Sequence, residues 1–147
     1  MKTKVLLIIG IIINSFIWIN SLMPASISSR QSGLIVNILY PPFKNLIEVD
    51  KFSKIIRKLA HFTEFMLLGI IFSLYYLNKG INKYYLVTII HGIIVAIIDE
   101  TIQLFIPGRA GLITDVLIDT LGLIIGVIII LYYKNRGDLK NTCVKLN

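Results

Sequence analysis

Residues 84–105, YYLVTIIHGIIVAIIDETIQLF, form an apolar stretch whose only charged residues, Asp99 and Glu100, lie near its end. A helix of this length rises about 33 Å, enough to cross the ~30 Å hydrocarbon core of a bilayer. Three further stretches of similar character occupy residues 5–23, 59–77 and 114–133. The chain is therefore predicted to be an all-α polytopic membrane protein, built as a bundle of four transmembrane helices.

The composition supports a membrane protein rather than a soluble one. Of the 147 residues, 56% are hydrophobic and only 16% are charged, which is less charge than a soluble domain of this length carries. A very apolar soluble core would require polar outer faces, which the first and last stretches lack. The length predicts a single domain over residues 1–147.

The basic residues lie between or beside the apolar stretches, where they meet lipid headgroups. They give a net charge of +7, but no nucleic-acid-binding motif accompanies it, so no nucleic-acid partner is predicted. Cys143 is the only cysteine, which excludes an intrachain disulfide and a cysteine-based zinc site.

The first stretch follows Lys2 and Lys4, as in a secretory signal peptide, but it is longer than the usual ~7–15 apolar residues. We therefore expect it to remain as a helix, and cleavage near Ala25 is the alternative. An even number of spans puts both termini on one side of the membrane. The basic terminal segments favour the cytoplasm for both termini.

The first loop, residues 24–58, is extracellular in this orientation. Its residues 33–40 are apolar but short, and Pro41 and Pro42 stop any helix there. From Asn45 onward, apolar residues alternate with basic ones, a pattern typical of an amphipathic helix at the membrane interface. We expect this segment to run into the second span; the alternative is a solvated linker.

Apart from His91, which lies in the opposite half of the third stretch and is expected to be a packing or hydrogen-bonded residue, six acidic or histidine side chains lie within or at the ends of the last three stretches, where each costs roughly 2.5–3.5 kcal/mol or more. They are His61, Glu64, Asp99, Glu100, Asp115 and Asp119. Because consecutive spans are antiparallel, all six fall in one leaflet, and Gln103 and Arg109 fall there too. In the predicted orientation this is the outer leaflet.

Helical spacing places these groups on three faces. The faces consist of Arg57, His61, Glu64 and Leu68; of Gly92, Ala96, Asp99 and Gln103; and of Asp115, Asp119, Gly122 and Gly126. Glycines four residues apart favour close helix packing. We expect the three faces to pack together and to leave a polar cavity open to the outer surface. The alternative is that the polar groups only cap helices, snorkel or pair, with Thr114 or Asp115 as the N-cap of the last helix.

Two segments, RKLAHFTEF (57–65) and DETIQLFIPGR (99–109), resemble the VanZ-like family. The likeness continues through Asp115, Asp119 and Gly122, and it includes the end of the first span, residues 20–24, followed by Ser28 and residues 31–33. Phe65 stands where many relatives carry Tyr. The resemblance implies a protein of the bacterial cell membrane that is associated with low-level resistance to the glycopeptide teicoplanin. It implies no settled reaction.

Three functions are compatible with this pattern. The first is recognition or handling of a lipid headgroup or a lipid-linked cell-wall precursor. Arg57 and Arg109 would bind phosphate, while the acidic residues and Gln103 contact an amine or sugar or hold the arginines in place. The second is an intramembrane hydrolase or transferase, with His61 as a general base oriented by Glu64 and the acidic cluster as acid or metal ligands. The third is a non-catalytic scaffold in which the polar stripes only specify helix packing.

The predicted ligand-binding residues are Arg57, His61, Glu64, Asp99, Glu100, Gln103, Arg109, Asp115 and Asp119. Four of them are the catalytic candidates of the enzyme hypothesis: His61, Glu64, Asp99 and Glu100. No zincin pattern follows His61 and no Ser or Cys nucleophile stands out, so the sequence assigns no cofactor and no metal. The predicted partners are membrane lipids or a lipid-linked cell-wall precursor, and a homo-oligomer is left open.

Overall fold

The computed structural model describes residues 3–137, and every regular element in this range is helical. The helices are α1 (Thr3–Ser21), α2 (Ala25–Leu39), α3 (Val49–Asn78), α4 (Tyr84–Leu104) and α5 (Ile113–Asn135), with a 3₁₀ turn at Pro41–Phe43. Lys2 and Cys143 lie outside the described residues. The all-α prediction is confirmed.

Three helices, α1, α4 and α5, are long and apolar enough to cross a membrane. They coincide with the first, third and fourth predicted spans. The second predicted span lies in α3, which is not among these helices. Polar side chains such as His61 and Glu64 interrupt the apolar part of α3, and its first half is strongly basic. The chain is a multi-pass membrane protein, but the count of four spans is not confirmed.

The first loop contains more helix than the sequence predicts. Residues 25–39, of which only the end was recognised as a short apolar segment, form α2, and the proline pair Pro41-Pro42 lies in the 3₁₀ turn that follows. The predicted amphipathic segment is continuous with the second predicted span, since both lie in α3. The Tyr40 hydroxyl donates to the carbonyl of Ile47 at 2.9 Å, and its ring lies 5.4 Å from that of Phe52. These contacts tie the end of α2 to the start of α3.

The helices α3 and α5 run parallel and approach each other along three glycines. A Cβ atom on Gly122 would collide with the carbonyl oxygen of Phe62, and one on Gly126 with that of Met66. Gly69 on α3 faces the backbone of α5 in the same way. We call Gly69, Gly122 and Gly126 the glycine seam. The predicted close packing at Gly122 and Gly126 is confirmed.

The buried core lies between the helices, whereas the outer faces expose apolar side chains. The core consists of Ile17, Phe65, Leu68, Phe72, Val95, Ala96 and Leu123. On the outer faces, Ile12 of α1, Ile90 of α4 and Leu117 of α5 are 61%, 60% and 64% exposed. Large apolar surfaces on three helices would be unfavourable in water, so these are the surfaces that lipid tails cover.

Candidate functional site

Polar side chains from four helices and one loop meet at the end of the bundle where α1 and α4 end and α5 begins. We call this group the polar cluster; its members are Asn20, Ser21, His61, Glu64, Asp99, Glu100, Gln103, Arg109 and Asp119. Three of them, Ser21, Asp99 and Asp119, are at most 1% exposed. The structure thus brings together residues that the sequence places on separate faces.

Asp99 is the centre of the hydrogen-bond network. The Ser21 hydroxyl of α1 donates to its Oδ1 at 2.5 Å, and the Gln103 amide donates to its Oδ2 at 3.0 Å. The same amide nitrogen lies 3.3 Å from the Ser21 hydroxyl and 3.3 Å from Oε1 of Glu100. Because Gln103 follows Asp99 by one helical turn, α4 itself supplies one of these donors and α1 supplies the other.

Glu100 links α4 to the beginning of α5. Its Oε2 accepts a hydrogen bond of 2.8 Å from the backbone N–H of Leu112, which is the N-cap residue of α5. No side chain caps α5, and the Thr114 hydroxyl instead lies 3.3 Å from the Asp115 carboxylate. The alternative that Thr114 or Asp115 caps the last helix is therefore wrong, because α5 begins at Ile113 and both residues lie inside its first turn.

The pair formed by His61 and Glu64 is looser than the enzyme hypothesis requires. His61 Nδ1 and Glu64 Oε2 are 3.8 Å apart, which is too long for a hydrogen bond. The other oxygen of Glu64 accepts from the Asn20 amide at 3.2 Å. Both His61 Nδ1 and Glu64 Oε2 are buried without a hydrogen-bond partner among the described residues. Glu64 therefore does not orient His61 by a hydrogen bond.

Arg109 reaches the cluster from the turn between α4 and α5. Gly108 has φ +74°, a conformation that favours glycine and that reverses the chain after Pro107. The guanidinium donates through Nε to the carbonyl of Met23 at 2.8 Å and through Nη2 to that of Asn20 at 2.7 Å. Arg109 thereby closes the exposed carbonyl end of α1.

The two arginines are not held by the carboxylates, contrary to one role that the sequence suggests for the acidic residues. Within residues 3–137, neither Arg57 nor Arg109 forms an ion pair. Burial, and then the nearby Arg57 charge, lower the pKa of Arg109 from its ordinary value. A guanidinium nevertheless stays protonated in proteins, so two cations stand beside each other here.

Asp115 and Asp119 have different surroundings although they lie one turn apart on α5. Asp115 is at the rim, where it forms an ion pair with Lys58 of α3. Asp119 is 1% exposed, and neither of its carboxylate oxygens has a hydrogen-bond partner in the described part of the chain. Of the two predicted site residues on this helix, only Asp119 enters the polar cluster.

Two cavities open beside the cluster. The larger, of about 390 Å³, is lined by Lys54, Arg57, Lys58, His61, Gln103, Gly108, Arg109, Ala110, Leu112 and Asp115. The smaller, of about 170 Å³, is lined by Asn20, Ser28, Ser32, Ile35, Ile56, Arg57, Ala60, His61, Glu64 and Arg109. Arg57, His61 and Arg109 line both. The sequence predicts one cavity between the last three spans, and the structure adds a second on the side of α1 and α2.

The site includes residues that sequence reasoning missed. Asn20 and Ser21 belong to the segments that resemble the family, but no interaction was predicted for them. In the structure, Ser21 donates to Asp99 and Asn20 donates to Glu64. Ser28 and Ser32 of α2 line the smaller cavity. The available signal was that Asn20 and Ser21 end the first apolar stretch, and so lie in the leaflet of the other polar groups.

Apolar helices of membrane-spanning length around a buried polar cluster at one end define a multi-pass membrane protein with a polar intramembrane site. The VanZ/LLP1 family model matches residues 5–134, and the chain belongs to this family. The resemblance found in the sequence is thereby confirmed. Comparison with curated proteins and with solved structures finds no match.

Proposed function

We propose that the two cavities bind the phosphate-bearing headgroup of a membrane lipid, either a phospholipid or a lipid-linked cell-wall precursor. The observation that carries this proposal is the charge of the larger cavity. Four cationic side chains line it, from Lys54, Arg57, Lys58 and Arg109, against the single carboxylate of Asp115. Phosphate is the group that such a lining attracts, and planar guanidinium groups bind it through two parallel hydrogen bonds.

Arg57 is the residue most available to a ligand. It lines both cavities and makes no hydrogen bond or ion pair that would hold it elsewhere within the described residues. Arg109 donates two of its five N–H groups to backbone carbonyls, which fixes its position. The remaining N–H groups can donate to a ligand. A fixed arginine beside a free one is suited to a phosphate that enters from the membrane.

The surroundings of the smaller cavity suit a ligand with acyl or prenyl tails. Ile35 of α2 and Ile56 of α3 line this cavity next to the polar groups. Beyond it, α2 exposes Leu34 and Ile38 by 71% and 76%. A lipid can therefore place its headgroup among the arginines while its tails stay on apolar surface.

The test is lipid binding by purified full-length protein in detergent, measured by native mass spectrometry with Arg57→Gln. The probes are phosphatidylglycerol and a polyprenyl-pyrophosphate-linked cell-wall precursor, offered separately. Loss of charge-assisted hydrogen bonds is expected to weaken binding of the true ligand by ~10-fold or more. The matched control is Arg30→Gln, because Arg30 is exposed and lines neither cavity. Wild-type affinity of Arg57→Gln for both lipids would overturn the proposal.

A consequence for teicoplanin follows from the proposed site and from the association of the family with this antibiotic. If the protein lowers susceptibility, it does so by changing how a lipoglycopeptide meets the membrane surface, so the polar end faces outward. Arg57→Gln should then abolish protection at equal membrane levels, whereas Arg30→Gln should keep it. Protection that survives the loss of lipid binding would show that the two properties are separate.

A further inference from the structure

Three helices bring metal-ligating groups together at the inner end of the polar cluster. A ring nitrogen of His61 on α3 and carboxylate oxygens of Asp99 on α4 and Asp119 on α5 lie within 4.8 Å of one another. These residues are 38 and 20 positions apart in the sequence, so the fold and not a local motif creates the group.

The Asp119 side chain supplies independent support for a ligand. It is 1% exposed and points into this group, yet both of its oxygens lack a hydrogen-bond donor in residues 3–137. A buried carboxylate without a partner is costly, so it is expected to be neutralised by an ion or a proton. His61 Nδ1 is also buried without a partner.

We propose that His61, Asp99 and Asp119 bind one divalent cation, Zn²⁺ or Mn²⁺. A neutral imidazole and two carboxylates carry two negative charges, which a divalent cation balances. Nitrogen and oxygen ligands of this kind suit both ions. With metal–ligand bonds of about 2.0–2.2 Å, two ligand atoms of a tetrahedral site lie roughly 3.4 Å apart, so the three groups would have to close by up to about 1.4 Å, which side-chain rotation can supply.

The network around Asp99 is the kind that orients a metal ligand. Ser21 and Gln103 each donate to one of its oxygens, which fixes the carboxylate while leaving lone pairs free for an ion. No comparable donor reaches Asp119 from the described residues, so the cation itself would be its partner. His61 also lines both cavities, so a further ligand of the cation could approach from them. That this ligand is a lipid phosphate rests on the proposed function; ion binding does not.

The test is metal binding by the purified full-length protein, stripped with a chelator and then given Zn²⁺ or Mn²⁺ alone. Elemental analysis and calorimetry should find one ion per chain. Loss of an outer partner of a metal ligand typically weakens binding ~10–100-fold, so removing a ligand with Asp119→Asn should weaken it at least ~100-fold. Asp50→Asn is the matched control, since Asp50 is exposed near the start of α3.

The proposal is overturned if the wild type binds neither ion stoichiometrically, or if Asp119→Asn binds as tightly as the wild type. If the wild type binds neither ion, the buried Asp119 carboxyl group is neutralised by a proton instead. The control is the unfolding transition of the two metal-free proteins, which tests whether Asp119→Asn is folded like the wild type. Ion binding without lipid binding would support this inference and overturn the proposed function. Lipid binding without ion binding would support the proposed function and overturn this inference.

Discussion

The glycine seam and the polar cluster adjoin each other along α3 and α5, but their side chains are satisfied in opposite ways. In the seam, Gly122 and Gly126 bring α5 into contact with the backbone of α3, and no polar side chain is left unsatisfied there. One turn away, Asp119 and His61 have buried polar atoms without partners among the described residues. Packing alone does not explain such atoms, because each one costs stability. The seam therefore stabilises the fold, whereas the unpartnered atoms of the cluster lower its stability.

The largest effect on stability is expected in the seam, from Gly126→Ala. The new Cβ would overlap the Met66 carbonyl oxygen, and a backbone group cannot move aside without separating α3 from α5. Overpacking of this kind should lower the free energy of unfolding by about 3 kcal/mol. The measurement is unfolding in mixed micelles by a denaturing detergent.

The control for the seam is Gly33→Ala in α2, where a Cβ meets nothing within 4 Å. In a helix without close neighbours, alanine stabilises relative to glycine by up to ~1 kcal/mol. The two substitutions are therefore expected to have opposite signs. Equal effects would mean that the close contact between α3 and α5 does not govern stability.

The α5 side of the seam could be predicted from the sequence, whereas Gly69 of α3 was not predicted, because the prediction requires small residues that recur on one helical face. Gly122 and Gly126 are four residues apart, and this spacing alone predicts close packing. The break within the first loop was also predictable, since Pro41 and Pro42 disfavour a continuing helix, and α2 ends at Leu39. Asp99 and Asp119 were predicted to lie in the same leaflet, because the end of one span and the start of the next, antiparallel span lie on the same side of the membrane. These features depend on local geometry or on the direction of the chain.

The partners within the polar cluster could not be predicted in this way. That Ser21 donates to Asp99 depends on how α1 is rotated, and that Glu100 accepts from Leu112 depends on the path of a loop. Helix α2 was not predicted because its first half is rich in serine, a weak helix former, whereas its contacts with α3 stabilise it as a helix. The fourth span is not confirmed either, because polar and basic side chains interrupt the apolar part of α3 and lower its hydropathy.

An intermediate effect is expected from Ser21→Ala, which removes the donor to Asp99 Oδ1. The carboxylate stays buried with one donor fewer, and hydrogen bonds to charged groups are worth about 1.5–3 kcal/mol. The loss should fall near the lower end, because the Gln103 amide still binds the carboxylate. Unfolding of the chelator-treated protein measures it, with the exposed Ser29→Ala expected to stay within ~0.5 kcal/mol of the wild type. A neutral Ser21→Ala would mean that this hydrogen bond contributes nothing to stability.

The smallest effect on stability is expected from Asp119→Asn in the presence of a chelator. This prediction distinguishes the polar cluster from the glycine seam most directly. Asparagine has nearly the same shape, carries no charge and brings an N–H donor toward Asp99 and His61. Because the wild-type carboxylate has no donor to lose in the described chain, stability should change by less than ~0.5 kcal/mol or should rise.

Adding Zn²⁺ should then stabilise the wild type and leave Asp119→Asn unchanged, because only the wild type retains the full set of ligands. A loss above ~1 kcal/mol in the chelator would instead show that Asp119 has a favourable partner in the folded protein. In that case the residue serves packing as the glycine seam does, and the contrast between the two regions fails at its central point.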